Sequence, residues 1–94
     1  ALPIWYDVAE KYISLFDRLN PVSFIYKGKE AKRHLGFIAQ DVEDILNEIG
    51  MPLDDFAALS VDDEGRYGLS YGEFVAVLTA KIQQLERKIE ELMV

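Results

Sequence analysis

Cysteine is absent from this chain of 94 residues, and histidine occurs once, at His34. The first absence excludes a disulfide framework and a thiolate metal site, and it leaves the redox compartment open. The second leaves His34 without the partner ligand that a zinc site needs, so we expect no metal. No apolar run approaches the ~18 residues of a membrane span, and no signal peptide is visible.

Positive charge is also scarce, because 10 Lys and Arg residues stand against 17 Asp and Glu, for a formal net charge of −7. An acidic surface repels the phosphates of nucleic acids and of anionic membranes, so we expect neither as a partner. Motifs for binding nucleotide phosphates and dinucleotides, and paired catalytic carboxylates, are missing as well. We therefore expect no cofactor.

The chain nevertheless has a large supply of apolar side chains. A single domain of this size, residues 1–94, buries only about 60–65% of the surface that its unfolded form exposes. Half of the residues are hydrophobic, with five Phe, five Tyr and one Trp. This excess indicates that apolar surface is buried against other chains. Because the chain begins with Ala1 rather than Met, we expect a fragment or a processed product.

The first half of the chain predicts a helix, two strands and a second helix. Apolar residues recur at helical spacing over 5–19, and Asn20-Pro21 ends that helix. Residues 22–27 and 35–39 are rich in β-branched and aromatic side chains, and a turn from Gly28 to Arg33 joins them as an antiparallel pair. We expect the second strand to be core, with Gly36 at a close backbone approach.

An acidic helix is predicted from Asp41, an N-cap or first-turn residue, to Ile49, with Gly50 after its C-terminus. Beyond it we expect a short helical turn over 53–59, extended residues 60–61, a turn over 62–65 and a short strand over 67–69. Nine carboxylates lie between Asp41 and Glu64 without a Lys or Arg. They do not form an EF-hand, because Tyr71 occupies the position where its loop needs Glu, so we interpret them as a solvated face.

The strongest pattern lies in residues 71–94, predicted as a coiled-coil helix that follows a globular part over 1–70. Alternating steps of four and three residues separate the apolar positions Tyr71, Val75, Leu78, Ile82, Leu85, Ile89 and Leu92. This heptad seam places Val or Ile at a and Tyr or Leu at d. Lys81 at g and Glu86 at e are predicted to pair between chains of a parallel coil.

His34 has three interpretations from the residues alone: a structural residue at a strand start, a metal ligand, or a general base. The base would need a nucleophile within reach, and none of the four serines stands in a recognisable motif. The structural interpretation is therefore preferred.

Three segments together resemble the C-terminal intramolecular chaperone domain of phage tail fibres, tailspikes, neck appendages and endosialidases. They are LNPVSFIYK (19–27), RHLGFIAQDVEDIL (33–46) and YGLSYGEFVAVLTAKIQQLERKIEEL (67–92). The resemblance implies an α+β homotrimer that drives folding and assembly of the upstream fibre and is then released by self-cleavage at its N-terminal edge. It also implies action in the host cytoplasm during virion assembly and absence from the mature virion.

Cleavage in this family is attributed to a serine–lysine dyad in a Ser-Asp…Lys motif, and the present sequence contains no Ser-Asp dipeptide. We therefore expect the catalytic residues upstream of Ala1, and none in this chain. His34, Gly36, Gln40 and Asp41 match the signature HxGFIAQDVE, which implies that His34 and Gly36 support the cleavage site or a trimer contact. The alternative function is a permanent trimerisation module or a host-binding tip of a fibre.

Overall fold

The computed structural model describes residues 2–28 and 31–93, and its architecture is α+β, as predicted. The elements in chain order are α1 (Glu10–Leu15), β1 (Val22–Phe24), β2 (His34–Gly36), α2 (Ala39–Glu48), a 3-10 turn (Leu53–Asp55), β3 (Leu59–Val61), β4 (Tyr67–Leu69) and α3 (Tyr71–Leu92). Part of the predicted turn between the first two strands, Lys29 and Glu30, lies outside the described residues. So do Ala1 and Val94, the ends of the predicted domain.

The strands form two separate antiparallel pairs. In the first, Val22 lies opposite Gly36 and Phe24 opposite His34, which confirms the predicted pairing of β1 with β2. In the second, β3 pairs with β4. The prediction that 35–39 is a core strand was wrong, because Leu35 is 83% exposed and the chain is helical from Ala39. A two-stranded ribbon has one face that no second layer covers, and Leu35 lies on that face.

Helix α2 begins two residues before the predicted start at Asp41. Its N-cap is Ile38, which offers no side-chain oxygen, so Asp41 acts in the first turn, where a carboxylate interacts favourably with the helix dipole. Val42 and Leu46 project into the core from one face, as the helical period predicts. Gly50 ends the segment at a φ of 74°, a conformation that favours glycine.

Helix α1 is much shorter than the predicted helix over 5–19. Ala9 has extended geometry, with φ −69° and ψ 150°, and residues 2–9 contain no regular structure. Trp5, 86% exposed, finds no core in the single chain. Helical spacing alone does not stabilise so short a segment, because most helical stability in proteins comes from packing.

The core lies between α1, α2, β3 and the first turns of α3. Its buried members are Leu15, Val42, Leu46, Met51, Phe56, Ala58, Leu59, Phe74 and Val77. Phe74 is central to this core. Its ring centroid lies 5.2 Å from that of Phe37, 5.5 Å from that of Phe56 and 6.4 Å from that of Phe16. One residue of α3 thus joins the N-terminal helix, the end of the ribbon and the 3-10 region.

Candidate functional site

The heptad seam of α3 is a long apolar stripe that the described part of the chain leaves exposed. Every seam side chain is exposed, by between 44% and 86%. Its members are Tyr71, Val75, Leu78, Ile82, Leu85, Ile89 and Leu92. The helix is continuous over its 22 residues, or about 33 Å, so these positions lie on one surface stripe. Within the described residues, no helix combines the length and hydropathy needed to span a bilayer.

A second, shorter apolar stripe on α3 packs against the rest of the described chain. Phe74 and Val77, at 4% and 5% exposure, are buried in the core described above. This stripe continues into polar contacts: Lys81 Nζ lies 3.0 Å from Asp17 Oδ1, and Gln84 Nε2 donates to Glu10 Oε2 at 2.9 Å. In the described structure Lys81 therefore pairs with Asp17 of its own chain. The interchain pair with Glu86 stays a prediction. Asp17 lies just past α1 and reaches the side of α3 that the seam leaves free.

The two stripes cover different lengths of α3. We call the described chain before α3, residues 2–28 and 31–70, the body. All described residues after Gln84 are exposed, so the body packs against only the N-terminal part of the helix. Within the described residues, no other layer of the chain covers the C-terminal turns, which carry Leu85, Ile89 and Leu92. The heptad spacing identified the seam, while Phe74 and Val77 were missed. The signal for them was a second stripe with the same alternation of three and four residues, at positions 74, 77, 81 and 84. Two of these four residues are polar, which obscures the stripe in the sequence.

Tyr71 connects the seam to the ribbon of β1 and β2. Its Oη accepts a hydrogen bond from the Phe37 N–H at 3.3 Å. A side chain at Gly36 would overlap Tyr71 Oη and lie 3.0 Å from Tyr71 Cζ. The absence of a Cβ therefore lets the first seam residue rest on the β2 backbone, a close approach of the kind expected at Gly36.

His34 belongs to an exposed aromatic cluster on the ribbon. Its ring stacks on Phe24, with centroids 5.5 Å apart and planes at 23°, and meets Tyr26 edge-on at 5.1 Å. Phe24 lies directly opposite His34 in the strand register, so the stack follows from the pairing of β1 with β2. This geometry is typical of aromatic side chains that pack against one another. The described residues contain no group of His, Asp and Glu able to hold a metal ion.

Gln40 and Asp41 lie apart from that cluster, in the first turn of α2. Both are exposed. Asp41 borders an open groove with Arg18 and Glu48, whose side chains pair at 3.0 Å. Among the four signature residues, Gly36 contacts the seam, through Tyr71. The roles of His34, Gly36, Gln40 and Asp41 stay predictions.

Exposed polar contacts fasten the elements of the body to one another. The hydrogen bond from Lys11 lowers the pKa of Asp55, and Tyr12 adds a second donor to the same carboxylate. The pKa of Asp62 is lowered by the Arg66 N–H and then by its side chain. Tyr67 donates to Glu43 at 3.1 Å, and this bond raises the pKa of the phenol.

The comparisons with known proteins agree on one class. A family model described as the chaperone of endosialidase matches residues 5–51, 47 of the 94 residues. A solved structure described as that of a novel intramolecular chaperone is similar, with a TM-score of 0.71 and 19% identity, over 88% of this chain and 92% of the other. Among curated proteins no significant match was found.

Proposed function

The chain belongs to the endosialidase chaperone family and is an intramolecular chaperone, and from this premise we propose how it works. Three copies associate through the heptad seam of α3. The trimer then sets the register of an upstream phage tail fibre or appendage protein while it folds, and self-cleavage at the N-terminal edge releases it. The work is done in the host cytoplasm during virion assembly, and the mature virion lacks the domain.

The observation that carries this proposal is the exposure of the whole seam on an otherwise packed helix. Burial of a large apolar side chain stabilises by about 1.5–3 kcal/mol. Association costs an estimated 4–15 kcal/mol or more. Most of the seven seam side chains are about half exposed in the single chain, so their further burial supplies a gain of the same order as that cost.

Three copies, rather than two, are proposed from the family and from the position of the body. Val or Ile at a with Leu at d favours dimers in isolated parallel coils. The seam of this chain, however, begins at Tyr71, whose hydroxyl rests on the ribbon, so the body contributes to the geometry of the contact. An isolated coil is therefore an incomplete guide to its oligomeric state.

A helical zipper suits a chaperone that must act before a β-rich stalk is folded. Contacts within a helix are local in sequence and form quickly, whereas non-local strand pairing is slow. Joining three chains at one end raises the effective concentration of the rest. The upstream strands then start in register.

Mass measurement tests the assembly step. Multi-angle light scattering on the 94-residue chain should give about three times the chain mass of 10.7 kDa. A chain that remains monomeric at micromolar concentration would remove the seam as the assembly surface.

Release is tested in a longer chain that includes the upstream region. We expect cleavage at a serine a short distance before Ala1, because no Ser-Asp dipeptide occurs within these 94 residues. His34→Ala should slow that cleavage and leave the trimer largely intact. Intact-mass spectrometry measures both: an uncut parent chain contradicts the release step, and unchanged cutting by His34→Ala limits His34 to packing against Phe24 and Tyr26.

The exposed seam also suits a second function, a permanent trimerisation module or a host-binding tip of a fibre. The two functions differ in the fate of this segment. Mass spectrometry of purified particles should detect its peptides if the segment is permanent. Their absence supports release.

A further inference from the structure

Helix α3 has a third surface, which the intrachain packing does not explain. We call it the open flank: Gly72 and Thr79, on the side of the seam opposite the body. The body lies against Phe74, Val77 and Lys81 on the other side. In heptad terms the open flank occupies e positions and the body occupies g and c.

Gly72 is the second residue of α3, and glycine has a low helix propensity. Gly36 is explained by Tyr71, but Gly72 has no such neighbour: a Cβ built there meets nothing within 4 Å. Its φ is not positive, so its backbone conformation does not require glycine either. Within the described chain, a larger residue would fit at this position without cost.

Thr79, one heptad further along, has a small side chain whose hydroxyl needs no partner from outside the helix. Its Oγ1 donates to the Val75 carbonyl at 2.8 Å, so the hydroxyl is satisfied inside the helix. Along the part of α3 that packs against the body, the open flank therefore consists of small residues whose polar groups need no further partner. Beyond the body, the next e position is the large, charged Glu86.

We propose that the open flank is part of the subunit interface and that the body of a second copy packs against it at Gly72. The inference rests on the proposed function, since the flank borders the exposed seam and continues its surface. In a cyclic assembly every interface is the same. A body attached to one side of each helix then faces the opposite side of the next helix, where Gly72 permits close approach.

Graded substitutions at Gly72 test this proposal in the 94-residue chain. Gly72→Ala should raise helix propensity yet weaken assembly about tenfold, because overpacking a close contact is destabilising. Gly72→Leu should weaken it further. Ala76→Leu is the matched control: it adds bulk one helical turn further along, at an exposed position that borders an open groove with Tyr12 and Phe56 of its own chain. It should leave assembly unchanged. Sedimentation equilibrium over a dilution series measures assembly, and circular dichroism verifies that each variant is helical.

Failure of the trimer and failure of the Gly72 contact give different results. A wild-type chain that does not associate removes both. A wild-type trimer whose Gly72→Ala variant associates as tightly or more tightly keeps the proposed function and overturns the role of the open flank. Equal weakening by Gly72→Leu and Ala76→Leu also overturns it, because bulk at any position would then suffice.

Discussion

Two stripes of the same helix have opposite surroundings. Phe74 and Val77 are almost fully buried, while Ile82 and Ile89, of equal hydrophobicity, are more than half exposed. Composition does not distinguish them, and both follow the four-and-three spacing. Helix α3 therefore requires two covering layers. One is supplied by its own chain, and the other, in our proposal, comes from further copies.

The largest effect is expected from breaking the exposed stripe. Ile82→Asp with Ile89→Asp would bury carboxylates in the coil, at several kcal/mol each when unpaired. Light scattering should show the loss of the trimer, and the parent fibre should become insoluble. Near-native circular dichroism of the monomer would confirm that the body does not depend on the seam. A soluble trimer of the double variant would show that the body alone holds the assembly.

Breaking the buried stripe should instead unfold the body. Phe74→Ala removes the ring that contacts Phe16, Phe37 and Phe56, and such truncations cost about 3–5 kcal/mol. Urea unfolding measures the loss. The matched control is Val75→Ala, next to it on the exposed stripe, which should change trimer affinity much more than the stability of the body. Equal effects of both on body stability would contradict the division of α3 into two stripes.

A smaller effect is expected where the exposed stripe meets the ribbon. Gly36→Ala places a methyl group on Tyr71 Oη and should destabilise by about 1–3 kcal/mol. Tyr71→Phe removes the overlapping hydroxyl and should recover part of that loss in the double variant. Thermal unfolding of the single and double variants gives the coupling. Additive effects would show that the two residues do not share a contact.

The smallest effect concerns acid, which acts on the body and not on the uncharged seam. Because the pKa of Asp55 is lowered in the folded chain, its contribution to stability is present above its ordinary pKa of 3.8. It is lost as pH falls through the lower, folded value. Asp55→Asn should therefore be less stable than the wild type at neutral pH, with the difference shrinking below about pH 4. Unfolding curves at several pH values measure it, and a constant difference would exclude the Lys11 contact as its cause.

Much of the fold could be predicted because the decisive signals are local. The 3.6-residue period of α2, the β-rich segments around a charged turn and the heptads of α3 each depend on neighbouring residues. Their elements appear where expected, although the strands are shorter and α2 begins at Ala39. The seam residues were likewise identified from spacing alone, and the structure leaves them exposed.

The remaining features depended on contacts between distant residues. The apolar period over 5–19 indicates a helix, but the described part of the chain leaves Trp5 exposed, and only Glu10–Leu15 of this segment is helical. Leu35 alternates correctly for a strand, yet the face it occupies has no second layer. Lys81 fits an interchain pair by heptad position, whereas the placement of α1 brings Asp17 within 3.0 Å of it.

Local patterns in the sequence specify α2, α3 and the pairing of β1 with β2, the acidic surface and a seam of seven residues on α3. Tertiary packing selects which stripe of α3 its own chain covers. It also decided that Tyr71 rests on Gly36 and that Gly72 has open space around it. The physical reason is that periodicity specifies which side chains share a face. Which layer meets that face depends on the path of the rest of the chain.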